Sequence, residues 1–166
     1  MDIRPATPDD VDAVVALVES AYRGDSSRAG WTTEADLLDG QRTDADEVRG
    51  VLPDLLLALD DGELVGCCVL AHKGSVGYFG MFAVRPALQG GGVGSALLTA
   101  AEHRAKELGL PVVEMTVLSG RRELVAYYER RGYADTGARR PFPYGDERFG
   151  VPRTDDLEFA VLQKRL

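Results

Sequence analysis

The sequence predicts a mixed α/β fold, one sheet with helices laid on its faces. Three observations predict it. Apolar residues recur at helical spacing after Thr7, after the glycines at 90–94 and after Gly120. Short apolar or alternating runs of strand length lie between them. Their order is helix, hairpin strands, strand–helix–strand–helix, strands, which builds a layered α/β sheet. At 166 residues the chain suits one domain, residues 1–166, with a sizeable core.

Each element has its own signal. Ile3 to Pro5 reads as the end of a short first strand. Thr7 then suits an N-cap, Pro8 the first helical position, and Asp9 and Asp10 the first turn. Val11, Val14, Val15, Val18 and Tyr22 form an apolar stripe that should fail near Gly24. Gly24 to Gly50 leaves room for one or two short helices, with Thr32 or Thr33 and Thr43 as caps. "DLLLALD", "DG" and "ELVGCCVLAHK" predict a hairpin, because Asp-Gly suits a two-residue turn. "VGYFGMFAV" is apolar on both faces: Val76, Tyr78, Phe82 and Val84 on one, Phe79, Met81 and Ala83 on the other. Such a strand is covered on both sides. The next helix runs from about Gly94 to Leu108, striped by Leu97, Ala101, Ala105 and Leu108, and Gly109 and Pro111 end it. "VVEMTVL" is a strand, and "GRRELVAYYERR" is a helix closed by Gly132. "YADTGA" is a strand, "PFPYG" a loop, and "DLEFAVLQKRL" a closing strand with Leu157, Phe159 and Val161 on one face.

Composition excludes several classes of function. The net charge is −8, with 14 acidic and 5 basic residues in the first 60 and 13 and 14 in the remainder. General nucleic-acid binding needs a basic footprint and is disfavoured. The acidic front third suits a cationic substrate as well as it suits a solvated surface. No run of about 18 apolar residues crosses a membrane, and "MDIRPATPDD" lacks the features of a signal peptide. A cytoplasmic location is expected. Cys67 and Cys68 are adjacent and point to opposite faces of a strand, so they read as strand filling. No metal-ligand spacing occurs, and no metal is expected.

The stretch "VRPALQGGGVGSALL" carries the functional signal. A helix start offers unpaired N–H groups and the positive end of a dipole, and glycines before it admit a ligand to the backbone. That combination favours a phosphate or pyrophosphate. The Walker loop is excluded because no Gly-Lys-Ser/Thr follows. The dinucleotide fingerprint is excluded because its last position falls on Ser95 or Leu97.

Gln89-Gly-Gly-Gly92-Val-Gly94 fits the pattern Q/R-x-x-G-x-G/A after a strand ending "FAVRP", and "YYERRGY" follows about 34 residues later. This combination resembles the GNAT superfamily of acetyl-CoA-dependent N-acetyltransferases, over roughly Leu56 to Ala134. The resemblance implies a mostly antiparallel central sheet of about six to seven strands with helices on both faces. It implies that Gln89, Gly90, Gly91, Gly92, Val93, Gly94 and Ser95 hold the CoA pyrophosphate. The backbone of Phe82, Ala83 and Val84 would hold the pantetheine arm, in a strand that bulges and parts from "VEMTV". Arg121, Leu124 and Tyr128 share a helix face toward the cofactor. The family's usual Asn is Arg121 here, whose planar fork suits CoA or an anionic group on the acceptor.

The implied reaction is direct attack of an amine on the acetyl thioester, with no metal. Tyr128, four residues before Gly132, is the expected general acid, and Tyr127 is expected in the core. Glu114, mid-strand beside the parting, is the candidate base. Trp31, Glu34 and Phe142 are candidates for an acceptor pocket. The acceptor would be a small-molecule or peptide amine, and relatives are often homodimers. Two other readings stay open: a non-catalytic acyl-CoA sensor on the same fold, and an unrelated phosphate-binding module.

Overall fold

The computed structural model describes residues 1–23, 27–28, 30 and 33–166. Seven strands form one sheet in the order β1-β3-β4-β5-β6-β9-β7. They are β1 (Asp2–Pro5), β3 (Leu55–Asp60), β4 (Glu63–Lys73), β5 (Val76–Val84), β6 (Val112–Leu118), β7 (Ala134–Pro141) and β9 (Glu158–Arg165). Every neighbouring pair is antiparallel except β5 and β6. Two short strands, β2 (Leu38–Asp39) and β8 (Val151–Pro152), pair with each other apart from the main sheet. No described helix is long and apolar enough to cross a membrane.

The first helix, α1 (Val11–Tyr22), is entered through a short 3-10 turn at Pro8–Asp10. The Asp10 carboxylate accepts from the Thr7 amide at 2.8 Å and from the Thr7 hydroxyl at 3.0 Å. Arg4 clamps the same carboxylate with two bonds of 2.8 and 2.9 Å. That clamp holds Asp10 well below the ordinary carboxylate range. Gly24, near which the helix was expected to fail, lies outside the described residues, as does Thr32. Helix α2 (Ala45–Val51) is capped by Asp44, which accepts from the Glu47 amide at 2.8 Å, rather than by Thr43. Asp61 and Gly62 both take positive φ, 48° and 81°, as the Asp-Gly hairpin requires.

Helices cover both faces of the sheet. Val14, Val18 and Val48 of α1 and α2 pack on Leu57, Cys67 and Met81. On the opposite face Leu97, Leu98 and Ala101 of α3 (Val93–Glu107) pack on Cys68, Phe79 and Met115. Helix α4 (Arg122–Glu129) adds Tyr128 to this second core. The two cysteines therefore enter different cores as free thiols. Burial pushes Cys67 up to about 12 and Cys68 well above its usual value, so neither supplies a thiolate at neutral pH.

Strand β5 departs from simple alternation. Cys67 pairs with Ala83 but Val69 pairs with Gly80, so two residues, Met81 and Phe82, oppose one. This is a β-bulge, and Met81 carries it at φ 45°. The extra residue moves Met81 and Ala83 to the α1 core and leaves Phe79 with Phe82, their rings 5.1 Å apart. The expected grouping of Phe79 with Met81 and Ala83 is thereby corrected. Beside the bulge the sheet opens: β5 pairs with β6 only over Val76–Tyr78 against Val112–Glu114.

Candidate active site

The glycine run forms the mouth of α3. Gly90 and Gly92 take φ of 86° and 93°, a region closed to most side chains, and Gly92 is the N-cap. Ala96 donates the first intrahelical bond, to the Gly92 carbonyl. The amides of Val93, Gly94 and Ser95 are thus left without partners inside the helix. A Cβ on Gly94 would stand 2.9 Å from Phe82 Cζ and 3.3 Å from the Tyr127 hydroxyl, so the glycine lets the mouth sit against β5 and α4.

A cavity of about 180 Å³ opens in front of this mouth. Gln89, Gly90, Gly92, Gly94 and Ser95 line one side, and Phe82, Ala83 and Val84 another. Arg121, Leu124 and Tyr128 lie along it too, so eleven of the thirteen positions expected to hold the cofactor line this cavity. Gly91 and Val93 flank them in the chain without lining the cavity. Four lining residues, Ala21, Tyr22, Tyr127 and Arg131, were not among those expected. Tyr127, expected in the core, lines the cavity. Arg131 lies over its ring at 3.5 Å and donates to Ser95 Oγ at 2.8 Å, placing a guanidinium beside the mouth. The doubled arginine after "YYE" was the available sequence signal.

The β5 carbonyls at the bulge already accept hydrogen bonds. The Tyr22 hydroxyl donates to the Phe82 carbonyl, and Gln89 Nε2 donates to the Val84 carbonyl at 3.2 Å. A carbonyl oxygen has two lone pairs, so each retains acceptor capacity.

A second cavity of about 620 Å³ runs along the opening between β5 and β6. Tyr78, Thr116 and Phe159 lie on its sheet side, and Tyr78 and Thr116 share a hydroxyl bond of 2.9 Å. Two of the expected acceptor residues, Glu34 and Phe142, line it. Trp31, the third, lies outside the described residues. Phe142 is buried against Leu38 and Leu118 and stacks edge-on to Tyr144 at 5.2 Å. Glu34 is 6% exposed and sits between Arg23 and Arg121, whose Nη1 is 3.3 Å from it. Arg121 is therefore buried in an ion pair, and it lines both cavities.

Glu114 pairs with Tyr78 in the closed part of the sheet and lines neither cavity. Arg140 holds one of its oxygens at 2.9 Å and Gln163 the other at 2.7 Å. Mid-strand position and the neighbouring parting made it a candidate; the antiparallel partner β9 supplies Gln163, and edge strand β7 supplies Arg140, to occupy it.

The two cavities meet at five residues, Tyr22, Phe82, Arg121, Leu124 and Tyr128. Tyr128 is 4% exposed, with Tyr127 and Tyr133 packed edge-on to its ring. Its hydroxyl has no hydrogen-bond partner among the described residues. Burial raises its pKa well above the usual tyrosine value, so the phenol keeps its proton and can offer a hydrogen bond.

One cavity thus runs from the mouth of α3 and the other along the opening between β5 and β6, and they share one junction. The protein's family follows from relatives. The model of the acetyltransferase (GNAT) family matches residues 13–133, and the chain belongs to that family. It is 33% identical over 142 residues to IAA acetyltransferase of Azospirillum brasilense, covering 82% of this chain and 85% of that protein. It is 33% identical over 135 residues to mycothiol acetyltransferase of Streptomyces avermitilis, covering 80% of this chain but only 42% of that protein. A putative acetyltransferase of Salmonella typhimurium, solved with its cofactor acetyl-CoA, superposes with a TM-score of 0.73 at 20% identity, covering 100% of this chain and 94% of that one. At that identity the likeness is one of fold.

Proposed function

We propose that the protein is an N-acetyltransferase that moves the acetyl group of acetyl-CoA to a primary amine of a small molecule or peptide by direct attack, with Tyr128 as general acid. The position of Tyr128 carries the reading. Of the three polar side chains at the junction of the cavities, Tyr22 is bonded to the Phe82 carbonyl and Arg121 to Glu34, while the Tyr128 hydroxyl keeps no partner among the described residues.

The mouth of α3 fits a diphosphate: unpaired amides, positive-φ glycines with no side chain in the way, and the Arg131 guanidinium beside them. Bound there, acetyl-CoA would supply an activated thioester, and the backbone of Phe82 and Val84 would hold its arm. Fixing donor and acceptor at one junction converts a bimolecular step into a local one, worth several kcal/mol of barrier. Tyr128 then donates its proton toward the departing sulfur, a thiol of pKa about 8.5 when free.

Glu114 has no part in deprotonating the amine in this reading. Among the described residues that line the acceptor cavity the carboxylates are Glu34, held between two arginines, and Glu47, which accepts from Thr43 Oγ1 at 3.0 Å and reaches solvent. Glu47 is the better placed to take the proton, through water. A cytoplasmic setting suits the two free thiols.

The test is release of free CoA from acetyl-CoA in the presence of a panel of amino acids, polyamines, aminoglycosides and peptides. Amine-dependent release that Tyr128→Phe suppresses is the expected result. Tight acetyl-CoA binding with no turnover on any amine refutes the enzyme and leaves a sensor.

A further inference from the structure

We propose that the acceptor is an amine carrying an anionic group, a carboxylate or a phosphorus oxyanion, and that Arg42 holds that group. The proposal rests on the acetyl-transfer reading of the same site and adds the acceptor's charge and its anchor.

The chain is acidic overall, yet the lining of the acceptor cavity is cationic. Among the described residues it presents Arg23, Arg42, Lys73, Arg121 and Arg140 against Glu34 and Glu47. Glu34 is taken up by Arg23 and Arg121, and Arg140 lies on Glu114. Arg42 is different. Its nearest carboxylate, Glu47, stands 3.9 Å away, beyond hydrogen-bond distance. A polyamine entering this groove meets like charge, whereas an anionic group meets an under-satisfied fork of donors.

Arg42 is also built into place. Its own amide and that of Thr43 both donate to Glu19 Oε1 on α1, at 2.5 and 2.8 Å. Its guanidinium lies over the Tyr22 ring, 4.9 Å from the centroid, and Tyr22 lines both cavities. The cation therefore stands against a residue of the junction at which acetyl transfer is proposed. The same positive surroundings lower the pKa of a bound ammonium and favour the neutral amine that must attack. That eases the demand for a strong protein base, which this groove does not display.

The experiment compares matched amines that differ in one charge, α-amino acids with their carboxamides and aminoalkylphosphonates with their uncharged dialkyl esters, by acetyl transfer to each. The charge-assisted fork predicts a kcat/KM about 10- to 100-fold higher for the anionic member. In Arg42→Gln that ratio should shrink to roughly threefold or less, and Arg42→Lys should leave an intermediate ratio, since it keeps the charge and loses the fork. Because each variant is read as a ratio within itself, partial loss of folded protein does not mimic the effect. A wild-type ratio near one, a preference for the uncharged member or for polyamines, an Arg42→Gln ratio equal to wild type, or silence from every anionic amine while acetyl-CoA binds would each overturn the proposal. Failure to bind acetyl-CoA would instead overturn the parent reading.

Discussion

Replacing Gly92 by valine separates binding from folding. Gly92 caps α3 at φ 93°, ψ −8°, and a Cβ placed on it meets nothing within 4 Å. The cost to the fold is thus conformational, not steric: about 1–3 kcal/mol for a β-branched residue held in the left-handed region. Against a typical stability of about 5–15 kcal/mol the chain stays folded, and at about 2–4 °C per kcal/mol the midpoint falls by roughly 2–12 °C. The cost to the ligand is larger. The valine methyls project from the rim of the mouth, where a pyrophosphate must approach the amides of Val93, Gly94 and Ser95. Losing two charge-assisted bonds at about 1.5 kcal/mol each removes about 3 kcal/mol, more than a hundredfold in Kd. Calorimetric titration of CoA and thermal unfolding on the same sample measure both quantities. Gly137→Val is the control: its φ of 82° and open surroundings carry the same strain, but it lies in the β7 bulge away from either cavity. If Gly92→Val binds CoA as Gly137→Val does, the pyrophosphate does not sit at this helix mouth.

Tyr128→Phe should lower kcat by about 10²–10⁴-fold, the range for losing a general acid, with Tyr127→Phe falling far less; the reverse order in steady-state assays transfers the acid role to Tyr127. Glu114→Gln should leave the acidic limb of the pH–rate profile unmoved, because Arg140 and Gln163 hold that carboxylate outside both cavities; a displaced limb would reinstate it as the base. Asp10→Asn should cost about 1 kcal/mol at pH 7 in urea unfolding, a figure kept small because the Arg4 pair is partly solvated. Since Asp10 is held below its unfolded pKa, that difference should be full above about pH 4 and shrink as pH falls further; a difference that grows in acid contradicts the pairing.

What the sequence reveals and what it hides divide by range. The Asp61-Gly62 turn and the glycine mouth are legible because their φ demands belong to the residues themselves. The bulge is not. A single extra residue at Met81 inverts the facing of everything beyond it, and Met is no bulge signal. Glu34 and Arg121 are 87 residues apart in sequence, and only the tertiary fold brings them together. Tyr127 and Tyr128 point about 100° apart on a helix, which suggests one inside and one out; the cavity wraps around α4 and takes both.

Charge is the sharpest instance of this limit. Counting residues gives an acidic front third, which suits a cationic acceptor as well as it suits a solvated surface. Yet Asp46, which helps make that third acidic, faces solvent with 96% of its side chain exposed, while Arg42 from the same third turns into the groove. Net charge describes the field far from the molecule, damped within about 10 Å by salt. The field a substrate meets once inside is set by the few groups that line the groove, and there the sign is reversed. An amine with its own anion satisfies both fields in turn, its ammonium drawn by the surface and its acid received by Arg42. If so, raising ionic strength should weaken KM for anionic amines less than mutation of Arg42 does, because the screened outer field contributes less than the desolvated fork. Equal effects of salt and of Arg42→Gln on KM would place the recognition on the surface instead.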